Sequence, residues 1–179
     1  GVRNINNAVE NGWEIVSFLY DGDRKLSDWA RDKLAAVRTQ VNYALRGDLL
    51  AALSGKADTS ELLAVVKMRD DDFSRIPLSE NPLIALFDRP SNHGNLGTIL
   101  RTADALEIPV VLLDGCADAY NPKTVRASMG AVFRTQPQIA ELEEVLHLCR
   151  EQEIPLAATA LSPAARDIPA RSLCGWTPP

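Results

Sequence analysis

The chain has 179 residues, of which 46% are hydrophobic and 24% are charged, as expected for a globular protein of one or two domains. No apolar run approaches the roughly 18 residues that a membrane span needs, and the first thirty residues carry several charges, so we expect neither secretion nor membrane insertion. The net charge of -5 argues against a protein that coats nucleic acid without sequence specificity, because such proteins neutralise phosphates with an excess of Lys and Arg.

The first 68 residues have the pattern of a small α/β domain. Their predicted elements, in chain order, are a helix around residues 5–9, a strand over 15–20, a helix with Ser27 as its N-cap and a strand over 62–68. The stretch between the second helix and the last strand is less regular. The segment 69–82, with its charges and two prolines, is the predicted linker.

The second half begins with a strand–helix–strand pattern. We predict a strand over 83–87, a helix over 96–106 and a strand over 110–113, which together form a βαβ unit and indicate a parallel sheet. An amphipathic helix over 140–152 and a strand over 156–160 follow.

The loop 88–97 leaves a strand and enters a helix, which is where open parallel sheets place their ligands. Gly94 and Gly97 permit close backbone approach, and the unpaired N–H groups of the new helix suit an anion. Arg101 follows Asn95 by six residues. An amide and a guanidinium are a suitable pair of groups for binding a phosphodiester.

Two other interpretations fit this loop. Asn95 could cap the helix while Arg101 lies in solvent or pairs with Asp104. The unit could instead bind a nucleotide in the Rossmann manner, with Asp114 on the ribose, although the G-x-x-G spacing here is not G-x-G-x-x-G.

With a negative net charge, any RNA contact must be local. Basic residues with that potential occur in the second half, interleaved with acidic ones; they are Arg89, Arg101, Lys123, Arg126 and Arg134. The three cysteines, Cys116, Cys149 and Cys174, are widely spaced and form no zinc or redox pair. We therefore expect a cytoplasmic protein without a disulfide or a metal.

One segment resembles a known family. Residues 81–113 read NPLIALFDRPSNHGNLGTILRTADALEIPVVLL. This stretch resembles the first signature of the SpoU/TrmH ribose methyltransferases of the SPOUT superfamily, in which N-x-G-x-x-x-R opens a helix between two strands. Residues 121–133 resemble the next segment of that family, and the first half resembles its small ribosomal-protein-like RNA-binding domain.

The resemblance implies a fold class and a domain arrangement. The fold would be α/β, with a small N-terminal RNA-binding domain over 1–68, a linker over 69–82 and a parallel-sheet SPOUT-type catalytic domain over 83–179. The glycine- and glutamate-containing loop and the knotted segment that close the family's catalytic domain are not found. We therefore expect a chain truncated before the trefoil knot, with the cofactor-binding residues beyond Pro179 and little activity of its own.

The resemblance also implies an activity. It is the methylation of a ribose 2'-hydroxyl in ribosomal or transfer RNA, with S-adenosylmethionine as cofactor and a homodimer formed through the catalytic domain. Asn95 and Arg101 would be the catalytic residues, and Arg126, Lys123 and Arg89 would contact RNA. Because a guanidinium rarely gives up its proton, Arg101 is expected to position a phosphate rather than act as a base. The alternatives are a non-catalytic RNA-binding protein of the same fold and a Rossmann-type nucleotide-binding enzyme.

Overall fold

The computed structural model describes residues 1–55, 59–72, 76 and 82–159. In these ranges the helices are α1 (Val2–Glu10), α2 (Asp28–Ala36), α3 (Gly47–Ser54), α4 (His93–Ala105), α5 (Pro122–Ala127), α6 (Val132–Thr135) and α7 (Leu142–Glu151). The strands are β1 (Ile15–Asp21), β2 (Tyr43–Leu45), β3 (Leu62–Val66), β4 (Ala85–Phe87), β5 (Val110–Leu113) and β6 (Gln138–Ala140).

The first sheet has the strand order β2-β1-β3. The central strand β1 runs parallel to β2, with Leu19 opposite Tyr43, and antiparallel to β3, with Phe18 opposite Ala64. Phe18 is fully buried. The N-terminal part of the chain is thus an α/β unit, as its sequence predicts.

The second sheet has the order β4-β5-β6, and all its strands are parallel. Its central strand β5 is buried at every position, which is why its sequence, Val-Val-Leu-Leu, is continuously apolar rather than alternating. Helix α4 connects β4 to β5. The predicted βαβ unit and parallel sheet are therefore confirmed.

Buried residues from both sheets, among them Phe18 and Leu112, belong to one hydrophobic cluster. Ile5 and Ala8 on α1 and Trp13 before β1 share it with Leu96 and Leu100 on α4. Gly1–Ala140 accordingly form one compact unit, and a second unit begins at Glu141, where residues 141–159 are described and carry α7. The domain boundaries placed at residues 68 and 83 stay a prediction.

Several elements differ from the sequence prediction. Helix α4 begins at His93 instead of residue 96, because the side chain of Asn92 accepts a hydrogen bond from the Asn95 N–H at 3.0 Å and caps the helix earlier. The elements β2, α5, α6 and β6 were not predicted, since their three to six residues are too few to show a hydrophobic period. Helix α3 was not predicted either, and it lies in the stretch whose apolar pattern is less regular. No strand is formed over residues 156–159, and Ala160 lies outside the described residues.

None of the helices in the described ranges has the length and apolar character that a membrane crossing requires.

Candidate functional site

Three residues of the N-x-G-x-x-x-R helix share one face of α4. Gly97, Arg101 and Asp104 follow one another at the i, i+4, i+7 spacing, which places them along a single stripe. The neighbouring stripe, formed by Leu96, Leu100 and Ala103, is buried in the core. The core contacts therefore fix the rotation of α4, and this rotation directs the Arg101 stripe toward the adjacent helices.

Gly97 allows α4 and α5 to approach closely. A Cβ atom at this position would lie 2.5 Å from the Cβ of Ala127, 2.8 Å from the backbone N of Ser128 and 2.8 Å from the carbonyl O of Thr124. Two of these atoms belong to the backbone and cannot rotate away. The glycine of the motif is thus required by helix packing, and it brings the end of α5 beside Arg101.

Arg101 lines a cavity of about 370 Å³. The other lining residues come from the end of α5, from α6, from α1 and from α4 itself; they are Ser128, Met129, Arg134, Arg3, Asn7 and Asp104. The Arg101 side chain is exposed, and among the described residues it has no hydrogen bond or ion pair. Its guanidinium is therefore available to an anion that enters this cavity, called here the arginine cavity.

A second arginine in the cavity is already paired. The Arg134 Nε donates to Asp104 Oδ1 at 2.9 Å, and its Nη2 donates to Asp104 Oδ2 at 2.5 Å. This bidentate hydrogen bonding to Asp104 raises the pKa of Arg134, against a smaller opposing effect of burial. Arg134 also donates to the side chain of Asn7. The Asp104 charge is thus neutralised by Arg134, and Arg3 and Arg101 give the lining a net positive charge.

Helix α1 is seated on this region through Asn7 and Gly130. Gly130 has φ +92°, a left-handed conformation that favours glycine, and a Cβ there would lie 2.8 to 3.0 Å from the Asn7 side chain. The turn after α5 therefore admits α1 only because residue 130 has no side chain. This contact positions Arg3, one turn before Asn7, beside the same cavity.

The two predicted catalytic residues do not share a face. Asn95 lies in the first turn of α4 and is exposed, whereas Arg101 lies six residues further, about 9 Å along the helix axis. Asn95 does not line the arginine cavity. The alternative that Asn95 caps the helix is wrong, since Asn92 does so. Of the two positions that this alternative allowed for Arg101, the structure has the exposed one, and Asp104 pairs with Arg134 instead.

The predicted RNA-contacting residues lie outside the arginine cavity. Lys123 and Arg126 are exposed on α5, whose start is fixed by the Asn121 side chain accepting from the Lys123 N–H at 2.9 Å. Arg89, at the carboxyl end of β4, donates to Asp88 at 2.6 Å. This hydrogen bond lowers the pKa of Asp88, so Arg89 already has an anionic partner.

Sequence reasoning missed Arg3 and Asn7. Both lie on α1, and Arg3 reaches Met129 across 126 positions of sequence. The helical spacing of α1 predicts its buried face but carries no signal for which polar residues approach α4. Only the packing of α1 on the turn after α5 brings them to the cavity.

Two family models match this chain, one in each half. The model of the SpoU rRNA methylase family matches residues 82–174, and the model of the SpoU L30e-like domain matches residues 1–64.

Two curated proteins are similar to this chain in sequence. The 23S rRNA (uridine(2479)-2'-O)-methyltransferase of Streptomyces viridochromogenes is 49% identical over 135 residues, covering 74% of this chain and 47% of that protein. The 23S rRNA (guanosine(2553)-2'-O)-methyltransferase RlmP of Bacillus subtilis is 31% identical, covering 69% of this chain and 48% of that protein.

The crystal structure of the SpoU methyltransferase AviRb from S. viridochromogenes in complex with the cofactor AdoMet superposes with a TM-score of 0.79 at 43% identity. It covers 86% of this chain and 58% of that one. The chain spans about half the length of the curated relatives it matches.

Proposed function

The chain belongs to the SpoU rRNA methylase family, and on this premise we propose that the protein transfers a methyl group from S-adenosylmethionine to a ribose 2'-hydroxyl of ribosomal RNA. The names of its relatives support the reaction and the RNA class, since both curated proteins are 23S rRNA 2'-O-methyltransferases. The cofactor is supported by the similar structure that contains AdoMet.

The observation that carries the proposal is the position of Arg101. This arginine, the last residue of the N-x-G-x-x-x-R motif, is exposed, lacks a described partner and lines a cavity of net positive charge. A planar guanidinium binds a phosphate through two parallel hydrogen bonds, which fixes the orientation of the nucleotide as well as its place. Methyl transfer needs the 2'-oxygen in line with the sulfonium methyl, so fixing the nucleotide lowers the entropic part of the barrier.

The arginine cavity does not fit the methyl donor itself. A sulfonium is a cation, and Arg3 and Arg101 would repel it. A second cavity of about 570 Å³ lies at the amino edge of the second sheet, where β5 begins at Val110 and β6 at Gln138. Parallel sheets place their ligands at the opposite, carboxyl edge. We therefore assign no donor-binding residue, and the arginine cavity belongs to the RNA side of the site.

The remaining parts of the proposal concern roles and assembly. Residues 1–68 select the RNA and residues 83 onward carry the reaction, with Asn95 and Arg101 near the ribose and Arg126, Lys123 and Arg89 on the RNA backbone. The match of the L30e-like model to residues 1–64 supports the first of these assignments. We also propose a cytoplasmic homodimer, on the ground of the family resemblance.

A methyl-transfer assay tests the function. The full-length protein is incubated with S-adenosylmethionine carrying a labelled methyl group and with ribosomal or transfer RNA. The RNA is then hydrolysed in alkali, which cleaves next to a free 2'-hydroxyl but not next to a 2'-O-methyl group. The proposal expects label in alkali-resistant dinucleotides from ribosomal RNA. Label on a base would overturn the reaction, label confined to transfer RNA would overturn the substrate, and RNA binding without transfer would indicate the non-catalytic alternative.

A further inference from the structure

Arg3 is held loosely at the edge of the arginine cavity. Its Nη1 lies 3.6 Å from the sulfur of Met129, and a thioether is a weak acceptor for a guanidinium. The Arg3 side chain is exposed. A stronger, anionic acceptor in the cavity would replace the sulfur at little cost.

The charges of the cavity favour such an anion. Its lining holds three arginines and one carboxylate, and that carboxylate is occupied by Arg134. Two positive charges, on Arg3 and Arg101, remain without an acidic partner in the lining, in a chain whose net charge is -5. Such a local concentration of positive charge in an acidic protein indicates an anionic ligand.

Arg3 and Arg101 come from different parts of the chain. Arg3 lies on α1, within the L30e-like match, and Arg101 lies on α4, within the SpoU match. The seating of Asn7 against Gly130 fixes their relative positions, because α1 cannot shift without displacing that contact. The two guanidinium groups can therefore act on one ligand.

We propose that Arg3 and Arg101 bind the same RNA phosphodiester, so that α1 contributes directly to the site on α4 instead of only recognising RNA elsewhere. The proposal rests on the proposed function in taking RNA as the substrate. Arg3 is a substrate-binding residue, because it holds the phosphate while the reaction occurs at the ribose. Arg101 sets the orientation of that phosphate, and Arg3 contributes affinity.

The experiment measures RNA binding without the methyl donor. Fluorescence anisotropy of a labelled fragment of ribosomal RNA is recorded over a range of salt for the full-length wild type, Arg3→Gln, Arg3→Lys and the control Arg150→Gln. Arg150 is an exposed arginine on α7, outside residues 1–68, and it does not line the cavity. For single-stranded RNA, removing one cationic side chain that neutralises a phosphate lowers the slope of log affinity against log salt by about 0.7. We expect this decrease for Arg3→Gln, whereas Arg3→Lys, which keeps the charge, retains the slope.

Methyl-transfer kinetics show whether Arg3 binds the RNA or the methyl donor. Arg3→Gln should raise KM for RNA by about fivefold, the upper range for an exposed ion pair, and leave kcat and KM for S-adenosylmethionine unchanged. The double variant Arg3→Gln with Arg101→Gln should lose less RNA affinity than the product of the single losses, because both side chains bind one phosphate.

The outcomes for the two proposals differ. The shared phosphate is overturned, while methylation stands, by any of three results. They are a slope for Arg3→Gln equal to that of wild type, strict additivity with Arg101→Gln, and an increase in KM for the donor. An Arg3-dependent slope without any methyl transfer supports the shared phosphate and overturns the enzymatic function. Absence of RNA binding by the wild type overturns the shared phosphate directly.

Discussion

The indole Nε1 of Trp13 donates a hydrogen bond to the carbonyl oxygen of Phe133 at 2.9 Å, joining the start of the first sheet to helix α6. The same indole packs edge-on against the Phe133 ring at 5.4 Å, and the Arg69 guanidinium lies over it at 4.4 Å. Trp13 is 4% exposed, so the bond is shielded from water. This contact lies within the unit Gly1–Ala140 and links residues 120 positions apart in the sequence.

Trp13→Phe should therefore destabilise the protein. The substitution keeps an aromatic ring but leaves the Phe133 carbonyl without its donor, at a cost of about 2 kcal/mol. Urea unfolding, followed by circular dichroism, measures the loss. The control is Trp29→Phe, which also removes an indole hydrogen bond, to Asn6 at 3.1 Å, but at a half-buried position. Equal losses for the two variants would show that the Trp13–Phe133 bond has no special role.

Gly97→Ala should disrupt the packing of α4 on α5. The added methyl group would overlap the backbone of Thr124 and Ser128, so the helices must separate, at a cost of about 1 to 3 kcal/mol. Gly94→Ala, in the same helix, is the control, since its Cβ would meet only the Asn92 side chain at 3.2 Å. We expect its stability to stay within about 1 kcal/mol of wild type. A lower thermal midpoint for Gly94→Ala than for Gly97→Ala would contradict the packing role.

The stability of the start of α2 should depend on the protonation state of Glu61. Its carboxylate accepts hydrogen bonds from the Ser27 N–H at 2.8 Å and the Ser27 hydroxyl at 2.5 Å, and Ser27 caps α2. The hydroxyl bond, followed by the backbone bond, lowers the pKa of Glu61 below its ordinary 4.5. Because the folded pKa is the lower one, the stabilisation is present above the unfolded value and is lost as the pH falls through the folded value.

Glu61→Gln tests this pH dependence. An amide cannot accept from both donors with its two end atoms, so the variant should lose about 1 kcal/mol at pH 7. The difference from wild type should shrink as the pH falls through the folded pKa, because the wild-type carboxyl then becomes neutral too. Urea midpoints over a series of acidic pH values measure it. Glu14→Gln, which removes an exposed carboxylate paired with Lys67, controls for loss of charge. A difference that stays constant on acidification would refute the role of the carboxylate.

The parts of the fold that the sequence predicts are those with long, regular patterns. The apolar run of β5 and the periodic face of α4 are each determined by local hydrophobicity, and both lie within three residues of their predicted bounds. The missed strands β2 and β6 have three residues each, and they exist only because a neighbouring strand pairs with them. Such pairing depends on the tertiary fold, which a short sequence window does not contain.

The residues of the candidate site also differ in how far the sequence predicts them. Arg101 is predictable because its motif is contiguous in sequence, whereas Arg3 has no motif of its own. The earlier start of α4 follows from Asn92, which competes with Asn95 as a cap. Which of two neighbouring asparagines caps a helix depends on backbone angles, and these are set by the loop that leaves β4.

Arg101→Ala should lower methyl transfer by at least about tenfold and leave fold and donor affinity nearly unchanged. The side chain is exposed and lacks a described partner, so its removal creates neither a core cavity nor an unpaired buried charge. In the proposed role Arg101 orients the phosphate for reaction, so the loss should fall mainly on kcat. Arg101→Lys should restore little, since a point charge cannot reproduce the planar fork of a guanidinium. The control is Arg150→Ala, an exposed arginine on α7 that donates to the Leu146 carbonyl at 3.0 Å. Steady-state kinetics measure the loss, and thermal midpoints test whether the variant is folded. Methyl transfer by Arg101→Ala at the wild-type rate, or unfolding of this variant, would contradict the assignment.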